Sequence, residues 1–189
     1  GSNTFGLTFD FFIDWAINRI SPYVWIKRIL LPTYTYDEFI GKLDFEMEKE
    51  FGKDYLCRLG RFATEYDMQV QFIVFHDELD WANDRSELII VSLSFKEGYY
   101  SFSPQKYSLS EFKELIKSHS GGPVSIGSKG LIYGTSRLEC SLSKTDSLYP
   151  GDADLLLLNE DNKAVCILEF KKHTLSSPIS EQCFTNYYP

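Results

Sequence analysis

Four charged side chains bracket two apolar runs near the C-terminal end of the chain. Asp152 and Asp154 precede Leu155–Leu158, and Glu169 and Lys171 follow Ala164–Leu168. Between the runs lies the polar stretch Asn159-Glu160-Asp161-Asn162-Lys163, so a β-hairpin is the natural reading. With Asp161 and Asn162 as the central turn residues, Leu156 faces Ile167, Leu158 faces Val165, Asp154 faces Glu169 and Asp152 faces Lys171. Alternation then sets Asp152, Asp154, Leu156 and Leu158 on one face, and Ala153, Leu155 and Leu157 on the other. Both faces are apolar through the middle, which predicts interior strands covered on each side.

Two carboxylates directly opposite one another at the end of a sheet repel, by about 0.2–1 kcal/mol on an open sheet and more where water is scarce. A divalent cation relieves this. Mg²⁺ suits such a site, with Mn²⁺ as a substitute, because it takes one or two carboxylates and keeps its other positions for water and substrate oxygens. There it lowers the pKa of a bound water and neutralises charge on a phosphoryl group. Lys171, on the same face, would orient that water or stabilise developing charge. A hairpin end that simply opens into solvent, with Lys171 paired to an acid, is the competing reading.

Asp154, a buried strand, a tight turn, a second buried strand and Glu169-Phe170-Lys171 resemble the PD-(D/E)xK nuclease superfamily. Gly151-Asp152-Ala153-Asp154-Leu155 is similar to the Gly-acid-x-Asp-Leu form of its motif. The resemblance covers about residues 105–175. It implies that Asp154 and Glu169 hold the catalytic metal, with Asp152 beside them, that the Phe170 carbonyl ligates it, and that Lys171 is the catalytic lysine. It also implies an αβββαβ core, with the first helix from Leu109 to about Ser118, the first strand at Leu131 to Leu142, and the hairpin as the next two strands. Glu114 is then the candidate for the additional acid that many members place on the first helix.

Some features depart from the family pattern. Pro150 stands four residues before Asp154 instead of next to it, and Gln182 and Tyr187 are one residue further apart than in the Gln-x-x-x-Tyr helix of RecB-like members. Eighteen residues follow Lys171, too few for the remaining helix and strand. Those elements either belong to a longer protein or are supplied by the first half.

The elements that must position these residues begin with Ser108-Leu109-Ser110-Glu111, a capping box opening a helix with Leu109, Phe112, Leu115 and Ile116 inward. Upstream, Met68–Phe75, Glu87–Phe95 and Gly98–Phe102 predict an antiparallel meander. His76, Asp77, Glu78, Asp80 and Asp84 fall in one of its connections, as an acidic loop. Thr35-Tyr36-Asp37-Glu38 is a second capping box, opening a helix striped by Phe39, Leu43, Met47 and Phe51 and closed by Gly52. Glu46, Glu48 and Glu50 lie off that stripe as a solvated face. Phe9, Phe12, Ile13, Ala16, Ile17 and Ile20 recur at helical spacing up to Ser21-Pro22, and an apolar helix is predicted from there to Leu31.

The resulting expectation is an α/β (α+β) protein. A helical and β-meander module over 1–104 precedes a restriction-endonuclease-like mixed-sheet core over 105–189.

With 189 residues, 43% of them apolar, the chain buries a core without disulfides or metal staples. Its four cysteines show no CxxC and read as reduced thiols of a cytoplasmic protein. The stretch Ile20–Leu31 is broken by Pro22, Lys27 and Arg28 and is too short to span a bilayer, so no membrane partner is expected. The net charge of −8 argues against indiscriminate polyanion coating, yet residues 1–100 carry 17 acids and 10 bases, leaving 10 acids and 9 bases for the rest. The second half therefore tolerates a phosphate backbone. The leading expectation is a metal-dependent nuclease acting on DNA or RNA. The alternatives are a nuclease-like scaffold that binds nucleic acid or protein without chemistry, and a domain that self-associates or serves a larger assembly.

Overall fold

The computed structural model describes residues 4–77, 81, 86–124, 136–142 and 145–170. Its strands are β1 (Phe5–Asp14), β2 (Arg19–Ile29), β3 (Gln69–Phe75), β4 (Glu87–Lys96), β5 (Tyr99–Ser108), β6 (Gly151–Leu158) and β7 (Ala164–Leu168). Its helices are α1 (Tyr36–Gly41), α2 (Leu43–Phe51), α3 (Lys53–Glu65), α4 (Leu109–His119) and α5 (Arg137–Ser141). All seven described strands join one mixed sheet in the order β5-β4-β3-β2-β1-β6-β7. The protein is therefore α/β, with helices on both faces of the sheet.

Alternation along the central strands builds the two cores. Val24 and Ile26 of β2, Val70, Phe72 and Val74 of β3, and Ile89 and Val91 of β4 bury with Phe39, Met47, Leu56 and Leu59 from α1–α3. The intervening Trp25, Ile73, Phe75, Leu88 and Ile90 point the other way and pack with Phe112 and Ile116 of α4 and Leu138 of α5. β2 and β3 run parallel, so they need a crossover, and α1–α3 form it.

The predicted N-terminal helices are strands β1 and β2. A strand buried on both faces is apolar at nearly every position, so helical spacing can be picked out of it by accident. Pro22 is tolerated because it sits at an irregularity: Phe11 pairs with Val24 but Ile13 pairs with Ile20, and parallel pairing with β3 starts only at Tyr23.

The meander over β3–β5 is as expected. So are both capping boxes, which open α1 and α4. The helix after Thr35 breaks at Lys42 into α1 and α2 and closes at Gly52, whose φ is 81°. Glu46, expected on the solvated face, is buried.

Helix α3 had no counterpart in the sequence reading. The expected strand over Leu131–Leu142 is overturned where it is described, because 137–141 form α5 behind the N-cap Ser136. The proposed boundary at 104/105 falls inside β5, and β6 pairs with β1, so one sheet runs through both halves.

Candidate functional site

The β6–β7 hairpin keeps the predicted register where it matters. Leu155 pairs with Leu168, Leu156 with Ile167 and Leu157 with Cys166. The ladder ends at Leu155 and Leu168, one residue short of Asp154 and Glu169. The Phe170 amide donates to Asp154 Oδ2, which ties the two strand ends together just past the last ladder pair.

The turn itself differs from the two-residue expectation. Asn162 carries the left-handed conformation with φ 61°, while Asn159 Oδ1 accepts from the amides of Asp161 and Lys163. The added residue makes Leu158 face Ala164 instead of Val165. Beyond that shift the pairing returns to the expected one.

A second irregularity bears directly on Asp154. Leu7 pairs with Leu156 and Phe9 with Ala153, so Asp154 and Leu155 together oppose the single residue Thr8. This is a β-bulge, a device that re-aims a side chain. The Thr8 hydroxyl donates to the Asp154 carbonyl at 2.8 Å and pins it. Leu156 and Ala153 are consequently both buried, and the expected common face of Asp154 with Leu156 is broken by the bulge. The hairpin is also covered differently from the expectation. β6 is interior, but among the described residues β7 is the edge strand, and its Val165 and Ile167 are 61% and 67% exposed.

Asp154 is half-buried, whereas Asp152, Glu169 and Phe170 are exposed. Lys171 lies outside the described residues, as do His173, Gln182 and Tyr187. Glu114 sits on α4 with its carboxylate 3.0 Å from Lys117, which also reaches Asp146 at 3.0 Å. A surface ion pair within its own helix accounts for it.

The structure buries a different helical acid. Glu139 of α5 lies 2.6 Å from Lys27 Nζ on β2, and the same ammonium is 4.0 Å from Asp10 Oδ2 on β1. Tyr149 donates its hydroxyl to Asp10 Oδ2 at 3.1 Å. Asp152 is the cross-strand partner of Asp10. Burial pushes the Asp10 carboxyl up to about 6; Lys27 and the Tyr149 hydroxyl oppose the shift, and Glu139 and Asp152 add to it. Burial also drives Tyr149 well above the ordinary tyrosine range, so it is a phenol at neutral pH.

Sequence reasoning missed Asp10, Lys27, Glu139 and Tyr149 as a group, because three of the four came from elements assigned to the wrong module or the wrong secondary structure. The one local signal was Ser136-x-x-Glu139, in which the serine hydroxyl accepts from the Glu139 amide at 3.2 Å.

Among the described residues, no three His, Cys, Asp or Glu side chains gather as a closed metal site requires. The donors at the hairpin end are two carboxylates and a carbonyl, all hard oxygens. That set fits Mg²⁺, which needs only one or two carboxylates with water completing the shell. No helix among the described residues is long and apolar enough to cross a membrane.

The chain matches no family model, no curated protein and no solved structure.

Proposed function

We propose that this protein is a metal-dependent nuclease that hydrolyses phosphodiester bonds of DNA or RNA, built on a restriction-endonuclease-like variant of the mixed sheet. The observation that carries the reading is the hairpin end, where the ladder stops one residue short of Asp154 and Glu169 and the Phe170 amide donates to Asp154 Oδ2. The bulge at Asp154 and the Thr8 hydrogen bond to its backbone carbonyl fix the main chain that carries the carboxylate. Asp154 and Glu169, with the Phe170 carbonyl and Asp152 nearby, would hold Mg²⁺. Bound there, the ion supplies an activated water and charge neutralisation at the phosphate. Lys171 would donate to the developing charge, and Asp154 would keep one oxygen on the Phe170 amide and turn the other to the ion. The reading assigns the protein to the cytoplasm.

The test is cleavage of single- and double-stranded DNA and RNA in Mg²⁺ or Mn²⁺, beside Glu169→Ala and Asp154→Asn variants with wild-type circular dichroism. Metal-dependent cutting should fall by about 10²-fold or more in each variant, the scale on which loss of a charge-stabilising group is felt. Unchanged cutting overturns the assignment.

A second reading starts from the exposure of Asp152, Glu169 and Phe170 at the hairpin end. In it the scaffold binds nucleic acid or protein and does no chemistry. Binding that persists undiminished in chelator, with no cleavage in any metal, selects it.

A further inference from the structure

The β1–β2 hairpin and the segment leading into β6 enclose a cleft of about 350 Å³. Phe11, Ile13, Trp15 and Pro150 form apolar walls, and Gly151 and Asp152 carry the cleft onto the start of β6. The Trp15 amide donates to the Ser120 carbonyl at 3.0 Å, and the next amide, Ala16, donates to Asp14 Oδ1 at 3.0 Å. The backbone of the hairpin tip is therefore fixed against the end of α4. Trp15 is nonetheless 51% exposed, whereas Trp25 and Trp81 are buried.

Phe11 pairs across the ladder with Gly151, and a Cβ at that glycine would stand 3.5 Å from the Phe11 ring. A side chain there would lie across the ring, so the glycine leaves it open towards the cleft. Two aromatic rings and a proline suit a flat apolar body. No Lys, Arg or His is among the described residues lining the cleft, so charge is not what it offers a ligand. A nucleobase meets these terms, because every base has a π-face that stacks on an aromatic ring without a counter-charge.

The place of the cleft in the fold favours a base over an apolar side chain of a protein partner. Asp152, at its edge, precedes Asp154 by two residues of β6. That separation is on the order of 7 Å along the strand, the reach of one or two nucleotides. A strand whose phosphate lies at the metal proposed above thus carries a neighbouring base to the cleft. In a duplex that base is stacked and paired, and reaching the cleft would require flipping it out. A single strand presents it freely.

We infer that the cleft stacks a base of a single-stranded nucleic acid on Trp15, with Phe11 and Pro150 lining the rest, and that the metal site takes single-stranded substrate. The placing of the scissile phosphate rests on the nuclease reading; the stacking on Trp15 does not.

The experiment follows the Trp15 indole N–H by ¹H–¹⁵N correlation spectroscopy, with chelator present so that no strand is cut. A short oligothymidylate is titrated beside an abasic strand of the same length and backbone, and beside the duplex of that oligothymidylate with its complement. The oligothymidylate should shift Trp15 saturably. The abasic strand and the duplex should each bind about tenfold more weakly, the scale of one lost base–aromatic stack. A Trp15→Ala variant with an otherwise unchanged spectrum should lose a similar factor for a fluorescein-labelled oligothymidylate read by anisotropy. No Trp15 shift with oligothymidylate overturns the inference, as does equal binding of the abasic strand or the duplex. Metal-dependent cutting of single strands that Trp15→Ala leaves unchanged overturns the base site while the nuclease reading stands. The Trp15 shift without cutting in any metal supports the base site and overturns the nuclease reading instead.

Discussion

Lys27 joins two buried carboxylates in the interior, Asp10 of β1 and Glu139 of α5. Replacing it by methionine keeps the length and apolar stem but removes the ammonium from both acids, and breaking such a group typically costs about 3 kcal/mol. Urea denaturation of Lys27→Met at pH 7.5 should show a loss of that order. The loss should shrink below pH 6. Asp10 is raised from 3.8 to about 6 in the folded protein, so the cost of ionising it is absent below the unfolded value and complete above the folded one. Nothing in the local sequence marks this role. Lys27 stands in an apolar run where a lone base reads as an interruption, and its partners are 17 and 112 residues away.

At the scale of elements, what was legible depended on whether one face or two is covered. Helix α4 and the box that opens it, the helix after Thr35, and strands β3–β5 each carry a capping or turn signal that local rules recognise. The β6–β7 register was legible too, because an Asn-containing polar turn divides two matched apolar runs. Strands β1 and β2 were not, since coverage on both faces erases the alternation that identifies a strand. The bulge that re-aims Asp154 depends on β1, which lies at the other end of the chain, so no local pattern announces it.

Helix α3 shows how closely such elements fit. A Cβ added at Gly60 would stand 2.4 Å from the Phe95 ring of β4. Gly60→Ala should therefore destabilise by about 1–3 kcal/mol despite its better helix propensity, as a chemical-denaturation midpoint would record. A gain in stability would mean that Phe95 moves aside freely.

At the scale of the whole molecule, one sheet joins residues from both ends of the described chain. β6 is hydrogen-bonded to β1, and the crossover helices α1–α3 pack on a core to which β6 also contributes Leu156 and Leu158. The division expected at residue 104 has no counterpart in this arrangement. Unfolding should therefore be a single transition, with coincident midpoints from far-ultraviolet circular dichroism and from tryptophan fluorescence. Two separated midpoints would indicate independent modules.

The long-range pairing between β1 and β6 also has a consequence for biosynthesis. Thr8 and its partner Asp154 are 146 residues apart, so at the usual 5–20 residues per second a ribosome needs on the order of ten seconds to follow one with the other. Throughout that interval β1 has been made, while the strand that covers its outer edge has not. The nascent chain therefore carries an open, apolar strand until β6 emerges, and chaperones that shield such edges should improve its yield.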